Sequence, residues 1–178
     1  MIYMFLADGF EEVEALAPLD IMRRANLDVK TVGVTGEYVK GAHDIVVKAD
    51  ISLADTKPEL IDAVILPGGL GGTNNMDNSA AVKNLVKYAA DNGKLVCAIC
   101  AAPSILGKMG LFKGKDATCY PGFENTFDGG NYVKKSIVKC NNFITSDGMG
   151  SAYKFGFEIT AALCGADTAE KIKEQIQY

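Results

Sequence analysis

The sequence predicts an α/β fold in which helices cover both faces of a mostly parallel sheet. Two observations support this prediction. Short apolar runs without charged residues, which are typical of strands buried on both faces, alternate with segments of helical spacing. The links between these segments are short, as they are in α/β folds. Ligands of such folds lie outside the carboxyl ends of the strands, so the residues that follow each apolar run are candidates for function.

Composition and charge exclude several classes of function. The chain has 178 residues, 48% hydrophobic and 22% charged, and we expect one domain over residues 1–178. The net charge of −4 disfavours a nucleic-acid partner, and no apolar run approaches the ~18 residues that span a bilayer. The N-terminus shows no signal-peptide pattern, and five scattered cysteines fit a reducing compartment. We therefore expect a cytoplasmic protein that binds neither nucleic acid nor membrane.

The first third of the chain alternates between strand and helix patterns. Glu12 and Glu14 fall in the first turn of the first helix, and Arg23 and Arg24 fall in its last turn, where the helix dipole favours each charge. Pro18 predicts either a kink in this helix or a regular part that begins near it. The predicted elements are a strand over 2–7, a helix over about 11–25, a strand over 29–34, a short antiparallel or edge strand over 44–48 and a buried strand over 63–66.

The rest of the chain continues this alternation. Asp77 or Asn78 is expected to cap a helix that Gly93 closes, and Asp167 with Glu170 predicts a capping box for a short last helix. The other predicted elements are a strand over 95–100, a helix over 101–109, a strand end before the turn at 119–122, a hairpin strand over 132–139, a strand over 143–146 and a helix over 152–163.

The segment over residues 95–103 passes from an apolar run directly into small residues and a proline. A buried strand that turns straight into a helix leaves Cys100 at the carboxyl edge of the sheet. A helix N-terminus lowers a cysteine pKa from about 8.5 towards 3.5–7.5, which favours the nucleophilic thiolate. Ala98, Ala101 and Ala102 suit a tight nucleophile elbow. The alternative is that Cys100 is a small buried hydrophobic residue.

Cys97 and Cys100 also form a C-x-x-C pattern, which is found in dithiol redox centres and zinc sites. Residues three apart on a strand point to opposite faces, so the two sulfurs cannot meet each other or share a metal ion. The chain has one histidine and no second C-x-x-C pair. We therefore expect no metal site.

Four glycines lie in the segment over residues 67–73, directly after a buried strand. The segment is not a phosphate-binding loop, because no Gly-Lys-Ser/Thr follows it. We expect its backbone N–H groups to lie at the same sheet edge as Cys100, where they could hold an oxyanion. A plain turn is the alternative.

Five motifs, in order along the chain, resemble the DJ-1/PfpI family, also called ThiJ/PfpI, and within it the DJ-1-like branch. They are Asp8-Gly-Phe-Glu-Glu-Val-Glu14, Pro18-Leu-Asp-Ile-Met-Arg-Arg24, Leu66-Pro-Gly-Gly69, Ala98-Ile-Cys-Ala-Ala-Pro103 and Thr145-Ser-Asp-Gly-Met-Gly150. The resemblance implies a flavodoxin-like three-layer sandwich and a homodimer. It also implies that Cys100 is the reactive cysteine, that Glu14 meets its sulfur, and that the Gly69 and Ala101 amides form an oxyanion pocket.

The chemistry of a Cys100–Glu14 pair follows from electrostatics. A carboxyl group beside a thiolate has a raised pKa, because two anions in contact disfavour each other. The protonated carboxyl donates a hydrogen bond to the sulfur, or to a sulfinate if the sulfur is oxidised. Glu14 could also move a proton to and from a substrate bound to Cys100. The alternative is that Glu14 is a solvated acid of the first helical turn, like Glu11 and Glu12.

The chain departs from the family pattern at its histidines. Glyoxalases and deglycases of the family often carry a histidine before the proline of the turn at 119–122, and this chain has Tyr120, which could line the pocket. A phenol of pKa ~10 is a poor base near neutrality, so a Cys–His dyad is disfavoured. Relatives place an arginine at His43, near the dimer face, so His43 and Arg24 could form an anion recess beside the cysteine; the alternative for His43 is an exposed turn residue.

These observations predict a DJ-1-like stress-response protein with a reactive, oxidisable Cys100. Its enzymatic form is a glyoxalase or deglycase that acts on 2-oxoaldehydes such as methylglyoxal without a metal or organic cofactor. Its non-enzymatic form is a redox sensor or chaperone-like binding protein. A cysteine peptidase or amidotransferase-like hydrolase is disfavoured, because Ala101 follows the cysteine and no histidine lies beyond residue 43.

Overall fold

In the computed structural model, which describes residues 1–178, a seven-stranded sheet forms the centre of the molecule. The strands of the protein are β1 Ile2–Leu6, β2 Val29–Gly33, β3 Tyr38–Lys40, β4 Val46–Lys48, β5 Ile51–Ser52, β6 Ala63–Leu66, β7 Leu95–Ile99, β8 Asp116–Ala117, β9 Asn131–Tyr132, β10 Ile137–Cys140 and β11 Phe143–Ser146. The strand order of the central sheet is β10-β11-β7-β6-β1-β2-β5. Every neighbouring pair in this sheet is parallel except the edge pair β10–β11.

Helices cover both faces of this sheet, since each central strand is buried on both sides. In β1, Tyr3 and Phe5 belong to one core cluster, whereas Ile2 and Met4 belong to the other. The helices are α1 Glu12–Arg24, α2 Leu70–Asn78, α3 Ala80–Asp91, α4 Pro103–Lys108, α5 Ala152–Cys164 and α6 Ala166–Gln175. Helices α2, α3 and α4 pack on the first cluster, and α1 and α5 pack on the second.

This arrangement confirms the predicted flavodoxin-like three-layer α/β sandwich with a mostly parallel sheet. The carboxyl ends of β1, β6, β7 and β11 are neighbours, because these strands are parallel and adjacent. The segments that follow them therefore meet at one edge. No helix of the protein is both long and apolar enough to cross a membrane.

The glycine-rich segment differs from its prediction, because helix α2 already begins at Leu70. Glycines disfavour helices, but a Cβ at Gly72 would lie 2.8 Å from the Phe10 Cα, so close backbone packing outweighs this propensity. The cap of the following helix was also misplaced. The side chain of Ser79, rather than Asp77 or Asn78, caps α3, since it accepts the N–H of Val82 in the first turn at 3.3 Å.

Other boundaries also moved. Helix α1 runs continuously through Pro18, so the regular helix does not begin there. The hairpin strand predicted over 132–139 is split into β9 and β10, and the strand over 44–48 is shorter and pairs antiparallel with β3 in a separate ribbon. No side chain caps α6, so the Asp167 capping box is absent. Strands β3 and β5 were not predicted, because runs of two or three residues show no periodicity. The strand expected to end before the turn at 119–122 is β8, which already ends at Ala117.

Candidate active site

Cys100 follows β7 directly and has a left-handed backbone conformation, with φ of +64°. Its N–H donates to the Ser146 carbonyl at 2.9 Å, and its carbonyl accepts the Tyr120 N–H at 2.8 Å. A non-glycine residue in this conformation costs about 1–3 kcal/mol, and it persists only where the surrounding structure holds it. Cys100 therefore lies at the tip of a strained strand-to-helix elbow, which is the geometry of an exposed nucleophile.

Glu14 lies in the first turn of α1, and folding removes it from water, since only 1% of the residue is exposed. The Gly68 N–H donates to its Oε2 at 2.9 Å, and its carboxyl is hydrogen-bonded to the Cys100 side chain. Burial raises the pKa of Glu14 to about 7, although the hydrogen bonds from Cys100 and Gly68 act to lower it. The solvated acid that we considered for Glu14 is therefore not what the structure shows.

Gly68 packs against both the Glu14 carboxyl and Cys100, and there is no room for a side chain at this position. A Cβ at this position would lie 2.3 Å from the Glu14 Oε2 and 2.6 Å from the Cys100 Cβ. Gly69, with φ of +83°, packs equally tightly, because a Cβ there would lie 2.4 Å from the Gly9 carbonyl oxygen. The Pro-Gly-Gly sequence thus allows the close approach of the pair, and Gly68 is a site residue that the sequence analysis did not single out.

Several groups act on the Cys100 sulfur. Burial, followed by the Glu14 carboxylate, raises the pKa of the Cys100 thiol to about 12, whereas the N–H groups of Gly69 and Ala101 hydrogen-bond to the sulfur and lower it. The two amides expected at the oxyanion pocket therefore do face the sulfur. The net lowering expected from a helix N-terminus is not found, since the pKa is raised and the six-residue helix α4 begins only at Pro103, three residues after Cys100.

The two pKa values belong to one coupled pair, because each group responds to the charge of the other. An ionised Glu14 repels a thiolate, whereas a protonated Glu14 donates a hydrogen bond to one. The pair therefore carries one negative charge above about pH 7, and moving its shared proton from sulfur to carboxyl converts the thiol into a nucleophilic thiolate.

Arg24 and His43 do not lie together within one chain. The Arg24 Nε donates to the Asp20 carboxylate at 2.6 Å, at the C-terminal end of α1. The His43 Nδ1 lies 2.9 Å from the Glu12 Oε2, at the other end of this helix. Twelve residues of helix separate the two places by about 18 Å. An anion recess made by both side chains would therefore need a second chain.

Glu12 was expected to be a solvated companion of Glu14, but it is only 4% exposed. Its Oε1 accepts the His43 backbone N–H at 2.7 Å, in addition to the contact with the ring. Burial alone would raise the pKa of Glu12, but the bonds with His43 outweigh it and lower the pKa. Glu12 thus fastens the segment between β3 and β4 to the start of α1. Glu11, Glu12 and His43 also form the one cluster of potential metal ligands, which the sequence analysis did not identify.

Tyr120 is 52% exposed and lines a cavity of about 530 Å³ beside the elbow. This agrees with its expected position in the pocket wall. A second cavity of about 600 Å³ opens at the opposite edge, against Met1, Leu27 and Leu95, at the amino ends of the strands. Since ligands of this fold class bind at the carboxyl ends, the cavity beside Tyr120 is the candidate binding site.

Cys97 lies fully buried in β7, in the core cluster of α1 and α5. Its burial raises the pKa of its thiol well above the ordinary value. All five cysteines are free, so Cys97 and Cys100 form no disulfide.

The fold and the site together define an α/β protein in which a partly exposed cysteine at a strand–helix elbow lies beside a buried glutamate. The model of the DJ-1/PfpI family matches residues 1–162, and the chain belongs to this family. Protein dj-1beta of Drosophila melanogaster is 40% identical over 172 residues, which are 95% of this chain and 92% of that protein. The crystal structure of Drosophila melanogaster DJ-1beta has a TM-score of 0.94 at 38% identity and covers 99% of this chain and 96% of the other.

Two further relatives bear on chemistry. The structure of oxidized Toxoplasma gondii DJ-1 has a TM-score of 0.95 at 32% identity, and the match covers 99% of this chain and 97% of the other. The glutathione-independent glyoxalase DJR-1.2 of Caenorhabditis elegans is 29% identical over 163 residues, which are 91% of this chain and 87% of that protein.

Proposed function

We propose that this protein is a cofactor-independent glyoxalase or deglycase of the stress response, in which Cys100 attacks 2-oxoaldehydes such as methylglyoxal. The observation that supports it most is the buried Glu14 carboxyl, whose pKa of about 7 and hydrogen bond to Cys100 suit a proton carrier near neutrality. The name of the Caenorhabditis elegans relative supports the same activity.

In the first step, the Cys100 sulfur adds to the aldehyde carbon of methylglyoxal. The S–C bond forms, the π electrons of the C=O bond move to its oxygen, and the thiol proton passes to the Glu14 carboxylate. The N–H groups of Gly69 and Ala101, which face the sulfur, would stabilise the charge on that oxygen. Glu14 then gives its proton to the oxygen, which completes a hemithioacetal and leaves a carboxylate.

In the second step, the Glu14 carboxylate removes the proton from the former aldehyde carbon, the C–H bonding electrons move towards the ketone oxygen, and an enediolate forms. Glu14 returns this proton to the neighbouring carbon while the hydroxyl proton of the first carbon moves to the neighbouring oxygen, which gives a 2-hydroxy thioester on Cys100. Water then hydrolyses this thioester to lactate and restores the thiol. Methylglyoxal and water are thus converted into lactate without an external oxidant or reductant, and turnover requires an ionised Glu14 at the start.

A second candidate function is that of a redox sensor or chaperone-like binding protein without turnover. Tyr120, where glyoxalases of the family often have a histidine, favours this alternative. A sulfinate on Cys100 would receive hydrogen bonds from the protonated Glu14 and from the same two amides. The oxidized state of the Toxoplasma gondii relative is consistent with it.

The experiment that separates these functions measures lactate formed from methylglyoxal in a buffer free of thiols and amines. Wild type, Cys100→Ser and Glu14→Gln are compared, with Cys164→Ser and Glu37→Gln as matched controls on exposed side chains. We expect lactate from wild type and both controls and none from the two site variants. No lactate from any form, with Cys100 still the first thiol oxidised by peroxide, would favour the sensor. Alkylation of Cys119 or Cys140 before Cys100 at neutral pH would contradict both functions.

The proposed assembly is a homodimer, and we propose a cytoplasmic location because all five cysteines are free. Val13 on α1 and Ile45 and Val46 on the β3–β4 ribbon are each at least 40% exposed, and the Glu12–His43 contact holds the two elements together. Light scattering should give twice the chain mass for wild type and a lower mass for Val46→Asp; a monomeric wild type would contradict the dimer.

A further inference from the structure

The cavity beside the elbow is bounded by two segments, residues 118–121 and residues 147–151. Hydrogen bonds to the backbone of Cys100 hold the first segment directly and the second through the residue that precedes it. The Tyr120 N–H donates to the Cys100 carbonyl, and the Cys100 N–H donates to Ser146, which directly precedes the second segment. The cavity wall is therefore held by hydrogen bonds to the backbone N–H and carbonyl of Cys100, whose side chain lies outside the lining.

The rim of this cavity carries excess positive charge. Lys134 and Lys135 line it, and neither ammonium has a carboxylate within 4 Å. Asp147 is the one acidic residue of the lining, and its Oδ1 accepts the Ser151 hydroxyl at 2.6 Å. Two lysines and one aspartate give a charge of +1, in a chain whose net charge is −4. Such a lining balances one monoanion rather than a dianion.

The cavity wall also contains an unused polar group. Thr118 is fully buried and lines the cavity, and its hydroxyl has no hydrogen-bond partner, although its N–H donates to the Thr145 Oγ1 at 2.9 Å. A buried hydroxyl without a partner is unfavourable, so this hydroxyl is available to bond a group that enters the cavity. Tyr120 and Tyr132 supply aromatic surface on the same wall.

We propose that this cavity binds a carboxylate, so that Cys100 reacts preferentially with small aldehydes that carry one. Lys134 and Lys135 attract the carboxylate to the rim, and Thr118 supplies a hydrogen-bond donor deeper in the wall. The proposal rests on the proposed function for turnover, but its binding step requires only an accessible thiol at Cys100.

The test compares the alkylation of Cys100 by iodoacetate, which is a carboxylate, with that by the neutral iodoacetamide. The ratio of the two rates is measured by mass spectrometry at low ionic strength and divided by the same ratio for a free small thiol. We expect a normalised ratio of about 5 or more for wild type, because fixed charges raise encounter rates of oppositely charged reagents. The ratio should fall towards 1 in 0.5 M salt, since the lysines are exposed and the Debye length is then about 4–5 Å.

The variant Lys134→Gln/Lys135→Gln should lose this preference, whereas Lys57→Gln/Lys171→Gln removes the same charge from exposed positions outside the cavity, Lys57 beside Met1 at the amino ends of the strands, and should retain it. Thr118→Val should lower the ratio without lowering the melting temperature, because the hydroxyl has no partner to lose. A wild-type ratio near 1, or a ratio that survives the loss of both cavity lysines, would overturn the proposal.

A second measurement uses aldehydes directly. Glyoxylate, which carries a carboxylate, should protect Cys100 from iodoacetamide at a lower concentration than the neutral glyoxal, and only while Lys134 and Lys135 are present. Equal protection by both would also overturn the carboxylate preference. Because neither measurement depends on lactate formation, failure of the glyoxalase activity and failure of this inference are distinguishable.

Discussion

Glu14 is an ordinary glutamate whose acidity changes because folding removes it from water. Its carboxyl is buried beside Cys100, and burial raises its pKa to about 7 from 4.5. A native state that binds a proton more tightly than the unfolded chain loses stability as the pH rises between these two values. The same burial that makes Glu14 a proton carrier therefore destabilises the fold at alkaline pH.

The first prediction concerns the stability that the fold loses when the buried Glu14 is ionised. Glu14→Gln should stabilise the protein at pH 8 by up to about 3 kcal/mol, because glutamine has no charge to bury, and should have little effect at pH 4. Urea unfolding at both pH values measures the difference. Glu37→Gln, on an exposed side chain, serves as the control and should change neither value. An equal effect of Glu14→Gln at pH 4 and pH 8 would contradict the raised pKa.

A second prediction at the residue scale concerns Gly68. Gly68→Ala places a Cβ within 2.6 Å of both the Glu14 carboxyl and the Cys100 Cβ, so the pair must separate. Turnover of methylglyoxal should fall by about 100-fold or more, since displacements near 1 Å have such effects. Glu37→Gln, on an exposed side chain outside the cavity lining, is the control. Normal turnover by Gly68→Ala would show that the close approach of the pair is not needed.

At the scale of elements, helices α1 and α5 pack closely together, and this packing explains why α1 remains helical although it contains Pro18. A Cβ at Gly156 of α5 would lie 2.9 Å from the Pro18 Cα and 2.9 Å from the Ile21 Cδ1. Pro18 lacks the N–H that an uninterrupted helix would use, so burial of this face stabilises α1 in place of that hydrogen bond. The contact matters for function, because α1 also presents Glu14 to Cys100.

The third prediction tests this contact. Gly156→Ala should destabilise the protein by about 1–3 kcal/mol through overpacking against a backbone that cannot move away, although alanine favours helices. For a chain of this length, this corresponds to a fall in melting temperature of about 2–12 °C. Thermal unfolding of Gly156→Ala and the control Gly150→Ala measures it, and a rise for Gly156→Ala would contradict the packing.

The fourth prediction concerns the contact between Glu12 and His43. The hydrogen bond to Glu12 raises the pKa of His43 and lowers that of Glu12. Both side chains are therefore charged at pH values between the pKa of Glu12 and the pKa of His43. The contribution of His43 is present below its unfolded pKa of about 6.5 and is lost as the pH rises through its folded pKa. The contribution of Glu12 to stability is lost as the pH falls through the lowered pKa of Glu12.

The difference in melting temperature between wild type and His43→Ala should therefore be largest near pH 5–6 and smaller above about pH 8. A difference that is the same at every pH would show that the pair makes no charged contact. Lys40→Ala, whose ammonium pairs with Asp44 in the same ribbon, is the control. It should show no comparable change between these pH values, since a lysine stays protonated there.

At the scale of the whole molecule, the parallel sheet decides which cysteine can react. Cys97 and Cys100 are three residues apart, yet Cys97 lies in the core and Cys100 lies at the edge where four strands end. The fifth prediction is that native protein alkylated by iodoacetamide gains label at Cys100 while Cys97 stays unlabelled until the chain unfolds. Peptide mapping with and without urea checks this, and early labelling of Cys97 would contradict the placement of β7 in the core.

The sequence by itself determined the fold class and the strand that presents Cys100, and its resemblance to one family predicted that Glu14, Gly69 and Ala101 lie beside that cysteine. It could do so because apolar runs, helical spacing and glycine-rich turns are local patterns, and because five motifs match one family in order. Short strands and the start of α2 escaped prediction, since close packing against Phe10 rather than local propensity decides them.

Only the tertiary structure decided the chemistry of the site. Glu12 and Glu14 have the same side chain and nearly the same place in the sequence. Burial raises the pKa of both, yet the hydrogen bonds with His43 outweigh it and lower the pKa of Glu12, while burial beside Cys100 prevails and raises that of Glu14. The Cys100 thiol likewise depends on groups from β6, α1 and its own elbow. An ionisable group acquires its pKa from water removed and charges brought near, and both depend on residues distant in the chain.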